Sequence, residues 1–276
     1  MGVSNVIMPR SLHAHQTNRM PAHLHASTFA RVLGRHIRSL LECVLPGCCA
    51  LCGTISRDSS ISSIHSICKN CSEQFFKHEN ERCPICARKL MHSMHALPCG
   101  ACQTEPPSFD ASIVVCDYAA PADRLVQDLK FNARLALAFA FAQLLRDAVG
   151  QQGGIQADLI AAVPLSSARL TERGFNQASE IAKPLANFLN LPLELQLCTR
   201  VRETPAQAGL SLKERRLNMR GAFIVSPKAP TILNKHIILV DDVMTTGYTL
   251  NELAACLKRY GAARVTNLVF ARTPLR

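Results

Sequence analysis

Thirteen consecutive residues, Ile237 to Thr249 (IILVDDVMTTGYT), leave this chain few ways to fold. The apolar run Ile237 to Val240 is too short for a helix and predicts a strand buried on both faces of a parallel sheet. Asp241 and Asp242 follow it directly. Thr245, Thr246 and Gly247 come next, small residues that let the backbone turn tightly and aim consecutive N–H groups into one concavity. A helix is expected from Thr249, with Glu252 completing a capping box, so the positive end of its dipole faces the same concavity. Strand, tight turn and helix start in this order make a seat for an anion, and phosphate fits it. A Walker-type loop is excluded, because no Gly-Lys-Ser/Thr follows a glycine-rich turn.

The two aspartates narrow the ligand. Carboxylates beside a phosphate seat repel its occupant unless they accept hydrogen bonds from sugar hydroxyls or work with a divalent cation. A ribose 5-phosphate with a vicinal diol meets that condition. All thirteen residues closely resemble the phosphoribosyl-pyrophosphate (PRPP) motif of type I phosphoribosyltransferases. The resemblance implies that Asp241 and Asp242 hold the ribose hydroxyls and that Thr245, Thr246, Gly247 and Thr249 hold the 5-phosphate. Val243, Met244 and Tyr248 complete the PRPP-binding run, and magnesium bridges pyrophosphate and ribose oxygens.

Ten of the thirteen cysteines crowd between Cys43 and Cys102, mostly as Cys-x-x-Cys pairs, a pattern of metal binding in a reducing compartment such as the cytoplasm. The pairs are Cys49/Cys52, Cys68/Cys71, Cys83/Cys86 and Cys99/Cys102. Each knuckle turns two thiolates toward one point, so eight ligands make two closed tetrahedral sites suited to structural zinc. Sequential pairing closes the shortest loops, although a crossed arrangement is sterically possible. Iron held rubredoxin-fashion, in keeping with Cys83-Pro84, and redox dithiols are the alternatives. A segment this poor in aromatics has little core, and metal binding is expected to supply most of its stability.

Residues 1–28 read as a disordered extension rich in His, Arg and Asn, and residues 29–46 as one amphipathic helix ended before Pro46. The cysteine region, 47–106, passes at Pro106-Pro107 through an expected hinge into a body of residues 107–276. No run of eighteen apolar residues is present, so no membrane span is expected. An excess of 31 Lys and Arg over 20 Asp and Glu favours polyanionic partners.

Within the body, strands are expected at Ala111 to Tyr118, Asp158 to Val163, Leu191 to Val201, Phe223 to Val225 and Val265 to Phe270, all joining the Ile237 strand in one sheet. A helical face runs from Asp123 to Ala148 with a possible break at Phe131-Asn132, beside Lys130. Another helix begins near Asn176, and Pro184 is expected to kink or split it.

Val163-Pro164, Arg169 and Arg173-Gly174-Phe175-Asn176-Gln177 resemble the signature of the ComF family, double-zinc-ribbon proteins with a phosphoribosyltransferase body. Arg200-x-Arg202-x-Thr204-x-x-Gln207, leading to Arg215-x-x-Asn218, resembles the same family where type I enzymes place a mobile loop that closes over PRPP. The implied fold is α/β: a type I phosphoribosyltransferase-like parallel-sheet domain preceded by a small double zinc ribbon.

The implied chemistry, if the protein is an enzyme, is transfer of phosphoribosyl from magnesium-bound PRPP to an unidentified acceptor. Asp241, Asp242, Arg173, Arg202 and Arg215 carry it, and Arg169 helps grip pyrophosphate. ComF relatives are associated with uptake of single-stranded DNA in natural competence, and the basic segment Arg200 to Arg220 suits phosphate contacts. A non-catalytic DNA-handling protein and a PRPP-sensing regulator are the rival readings.

Overall fold

The computed structural model describes residues 48–54, 67–76, 82–90, 97–201 and 221–274. In chain order the elements are α1 (Lys69–Phe75), α2 (Gly100–Thr104), β1 (Ala111–Asp117), α3 (Ala122–Phe131), α4 (Ala136–Gln151), β2 (Leu159–Ala162), α5 (Ser167–Arg173), α6 (Gln177–Leu189), β3 (Cys198–Arg200), β4 (Phe223–Val225), β5 (His236–Met244), α7 (Tyr248–Arg259) and β6 (Arg264–Arg272). Four strands form a parallel sheet in the order β1-β6-β5-β2.

Strand alternation sorts the core into two layers. Ile238 and Val240 of β5 join Ile160, Ala162, Leu268 and Phe270 beneath α3, α4 and α6. Ile237 and Leu239 join Leu159, Ala161, Val265 and Val269 beneath α7. Burial on both faces is why these strands read as near-continuous apolar runs.

The expected helix break is present. α3 stops at Asn132, whose Nδ2 donates to Asp128 Oδ1 at 2.7 Å, while Arg134 pairs with Asp128 Oδ2 at 3.0 Å.

Three expectations are corrected. Pro184 does not split α6, which runs unbroken from Gln177 to Leu189. Ile181, Ala182, Leu185 and Ala186 are fully buried against the sheet and α4, and this packing offsets the roughly 3 kcal/mol a helical proline costs. Leu191 to Val201 is not one strand of the sheet: Leu193 makes a single bridge to Ile160, and β3 then pairs antiparallel with β4 in a separate two-stranded sheet. β4 (Phe223–Val225) accordingly lies outside the main sheet as well.

The third correction concerns the hinge. Phe76, just past α1, is 3% exposed, and its ring lies 5.9 Å from that of Phe270, itself stacked on Phe141 at 3.6 Å with planes 5° apart. On the second cysteine segment, the Pro84 carbonyl accepts from the Ser112 N–H at 3.1 Å, and Arg82 pairs with Asp117 at 2.8 Å. Both segments are therefore seated on the body rather than hung from Pro106-Pro107. The expected extension at 1–28 and helix at 29–46 lie outside the described residues, in which no helix is long and apolar enough to cross a membrane.

Candidate functional site

Two cysteine clusters assemble as sequential pairing requires: Cys49, Cys52, Cys68 and Cys71, and Cys83, Cys86, Cys99 and Cys102, each set with its sulfurs within 4.8 Å of one another. Cys52 Sγ stands 3.7 Å from Cys68 Sγ, and Cys86 Sγ stands 3.6 Å from Cys99 Sγ. Thiolates about 2.3 Å from a central zinc lie about 3.8 Å apart at the corners of a tetrahedron, so these sets fit a metal ion and are too open for disulfides. The Cys68 N–H donates to Cys49 Sγ at 3.3 Å and the Cys99 N–H to Cys83 Sγ at 3.2 Å, bonds that favour the thiolate. Each cluster can hold one ion. Cys116 is a core residue, its thiol pushed up to about 12 by burial.

At the carboxyl edge of the sheet, β5 runs past its apolar residues through Asp241 and Asp242 to Met244, in register with β6 from Asp241↔Val269 to Met244↔Arg272. The carboxylates are thus strand residues, not loop residues, and the period of two sends them to opposite faces. Asp242 is 2% exposed; Lys130 Nζ pairs with its Oδ2 at 2.6 Å, and Gln177 Nε2 donates to its Oδ1 at 3.3 Å. Asp241, on the other face, accepts from the Asp242 N–H at 2.9 Å. Burial, with the neighbouring Asp242 charge, holds the Asp241 carboxyl well above the usual carboxylate range.

The turn after β5 differs from expectation in its cap. Gly247, at φ +85°, is the N-cap of α7, and Thr249 lies inside the helix without the capping-box bond to Glu252's turn. The left-handed residue starts the helix early, and the Tyr248 N–H is met weakly by Thr246 Oγ1 at 3.4 Å. A Cβ on Gly247 would come within 2.8 Å of Met244 Cε, so both conformation and space call for glycine here. Among the described residues the N–H groups of Thr246 and Gly247 have no acceptor, which leaves two donors at the positive end of α7.

Arginines approach from neighbouring elements. Ser166 caps α5 and Gly174, at φ +81°, ends it, so Arg169 and Arg173 stand four apart on one face. Asn176 caps α6 and donates through Nδ2 to the Val163 carbonyl at 3.0 Å, tying this turn to the end of β2. Arg173 donates to Gln177 Oε1 and lies over the Phe131 ring, 5.6 Å from its centroid. Arg200 of β3 stacks on Phe223 at 5.9 Å, within electrostatic reach of Arg169 and Asp241. Asp241, Asp242, Arg169, Arg173 and the Val243 to Thr249 run are therefore gathered at one edge, while Arg202 and Arg215 lie outside the described residues. Sequence reasoning assigned no role to Lys130, Phe131, Gln177 or Arg272. For Lys130, its place at the end of an amphipathic helix just before a break was the available signal.

Paired carboxylates on a parallel strand, running into a turn whose Thr246 and Gly247 N–H groups meet no acceptor among the described residues, suit a phosphoribosyltransferase-type fold, here joined to two cysteine ribbons. The family model described as "Phosphoribosyl transferase domain" matches residues 170–275. DNA utilization protein YhgH of Salmonella typhimurium is 37% identical over 233 residues, which cover 83% of this chain and 98% of that protein. Competence protein F of Haemophilus influenzae is 32% identical over 205 residues, 73% of this chain and 88% of its own. Competence protein ComFC of Streptococcus pneumoniae is 26% identical over 234 residues, 81% of this chain and 99% of its own. The chain belongs to the ComF family.

Proposed function

We propose that this protein binds PRPP with magnesium at the carboxyl edge of β5 and transfers its phosphoribosyl group to an acceptor. The observation that carries the reading is the pair of N–H donors at Thr246 and Gly247, without an acceptor among the described residues and close beyond two strand carboxylates. Those donors, with the α7 dipole, take the 5-phosphate. Asp241 and Asp242 accept from the ribose hydroxyls, with Lys130 and Gln177 orienting Asp242. Arg169 and Arg173 supply fork donors for pyrophosphate, and Arg202 and Arg215, between β3 and β4 in the chain, add to that charge.

With PRPP bound, magnesium would be held beside Asp241 and Asp242 and would supply neutralisation of the pyrophosphate charge. In the reaction, an acceptor lone pair forms a bond to the anomeric carbon as the bond from that carbon to pyrophosphate breaks, and pyrophosphate leaves with the electron pair. The arginines stabilise the departing charge. Calorimetry tests the reading: PRPP is expected to bind only with magnesium present, and ribose 5-phosphate to bind without it. Absence of PRPP binding in the presence of magnesium would sink the proposal.

The two cysteine clusters hold structural zinc, and the setting is cytoplasmic, where thiolates stay reduced. A second reading, handling of single-stranded DNA, is favoured by one feature of the same edge. Phe131 is 73% exposed, with the Arg173 guanidinium over one face, which leaves an aromatic surface and basic charge together. The names of the relatives, DNA utilization and competence proteins, point the same way. Single-stranded DNA is expected to bind with a strong salt dependence. Changing Arg215 and Arg216 to Ala is expected to lower the log–log salt slope by about 0.7 per lost contact. Phe131→Ala is expected to weaken binding by roughly 5- to 150-fold with the slope kept, the worth of one stacked base. A slope unaltered by the arginine changes, in a titration of affinity against salt, counts against a DNA role.

A further inference from the structure

Arg272, in the last position of β6, is 3% exposed, and no carboxylate pairs with it among the described residues. Its guanidinium binds backbone carbonyls instead. Nε donates to the Cys86 carbonyl at 3.1 Å; Nη1 donates to the Met244 carbonyl at 2.9 Å, the Thr273 carbonyl at 3.3 Å and the Thr245 carbonyl. Cys86 is a ligand of the second cysteine cluster, whereas Met244 and Thr245 open the turn that offers its N–H groups to phosphate. One rigid planar fork therefore spans a metal knuckle and the phosphate turn.

Peptide geometry makes that span consequential. In a trans peptide the C=O and the following N–H point in opposite directions. Among the described residues the one cis bond is Ala120-Pro121, so the peptides after Met244 and Thr245 are trans. Holding these two carbonyls toward Arg272 turns the N–H groups of Thr245 and Thr246 away from it. A cavity of about 350 Å³ lies between the second cluster and the turn, lined by Cys86 and Cys102 on one side, Thr246 and Gly247 on the other, and Arg272 itself. The nearby hydrogen bond from the Ser108 N–H to Asn251 Oδ1, 2.7 Å, reaches α7 rather than the turn.

We infer that Arg272 is a positioning residue that makes the second cysteine cluster part of the phosphate cradle, so that metal at Cys83, Cys86, Cys99 and Cys102 and ligand at the turn stabilise each other. The first cluster, seated through Phe76 on the opposite layer of the core, has no such link among the described contacts. The inference rests on the reading of the turn as a phosphate seat. Linkage is reciprocal: whatever the second-site metal does for ligand affinity, ligand does for metal retention.

The test uses full-length protein with cadmium in both clusters, observed by cadmium NMR, the two signals being assigned with Cys68→Ser, which removes a ligand of the first cluster. Adding ribose 5-phosphate is expected to shift the second-cluster signal and slow transfer of that ion to a chelator, with the first cluster unchanged. Arg272→Lys, whose ammonium lacks the fork, is expected to bind ribose 5-phosphate about tenfold more weakly, the worth of a hydrogen bond to a charged group, and to lose the shift while retaining both ions. Ribose 5-phosphate that binds wild-type protein without moving the second signal, or moves both equally, overturns the inference and leaves the phosphate seat standing. Ribose 5-phosphate that does not bind at all removes the seat and the inference together. Should Arg272→Lys fail to fold, the wild-type shift and chelator rates decide alone.

Discussion

Reductively purified protein is expected to carry two zinc ions per chain, and the Cys68→Ser variant one. Each cluster offers four sulfurs to one ion, so a bound zinc would have no open position and would serve folding rather than chemistry, with binding worth on the order of 10 kcal/mol or more per site. That is comparable to the whole stability of an ordinary domain. The loss at Cys68 does not stop at its own ribbon. Phe76 follows α1, whose N-cap is Cys68 and whose first turn holds Cys71, and its ring packs on Phe270 in the core beneath α4. Releasing the first metal frees that ring and exposes apolar core surface, so the variant should melt well below wild type and bind a hydrophobic dye, even if the sheet survives. Metal analysis that finds one ion or none in folded wild-type protein refutes the two-site arrangement.

The acidic pair carries the second large effect, and its two members should fail differently. Asp241→Asn is expected to reduce PRPP affinity in magnesium by roughly 10- to 100-fold, because a neutral amide loses hydrogen bonds of about 1.5–3 kcal/mol to the diol. Its effect on the unliganded fold should be small. Burial and the Asp242 charge already raise the Asp241 carboxyl, so the folded protein binds that proton more tightly than the unfolded chain does. Stability therefore falls as pH rises from the ordinary carboxylate range toward the raised value. Asp241→Asn should remove that fall, which melting temperature measured against pH will show.

Asp242→Asn is expected to cost the fold itself. The Asp242 side chain is 2% exposed and that of Lys130 beside it 21%, so removing the carboxylate leaves a largely buried cation without its 2.6 Å partner, a loss of roughly 3 kcal/mol. Lys130→Met should lose ligand affinity too, through the orientation of Asp242, and combining it with Asp242→Asn should cost less than the sum of the two changes. Equal melting temperatures for Asp241→Asn and Asp242→Asn, or PRPP affinity unchanged in the double aspartate variant, would contradict these roles.

Local spacing determined a good deal of this protein. Four Cys-x-x-Cys knuckles, the strand from Ile237, the paired aspartates and the Thr-Thr-Gly turn each lie within a few residues, where covalent geometry and the two-residue strand period leave little freedom. The same short range explains the helix break after Phe131 and the start of α6 at Asn176. Where local signals competed, they misled: Thr249 and Glu252 satisfy a capping box on paper, but Gly247 can adopt φ +85° and starts the helix first. Pro184 carries a strong break signal, yet tertiary burial of its helix outweighs it.

Only the tertiary structure decided which distant residues complete the site. Lys130 meets Asp242 because the Asp128 corner ends α3 beside β5, and Arg272 meets Cys86 because β6 brings the chain's end beneath the second ribbon. Neither contact has a periodicity or a spacing, since each joins segments more than a hundred residues apart through the order in which strands pair. The seating of the two ribbons follows the same rule: Phe76, rather than its exposed neighbour Phe75, and the carbonyl of Pro84 become anchors only once a core face and a sheet edge exist to receive them.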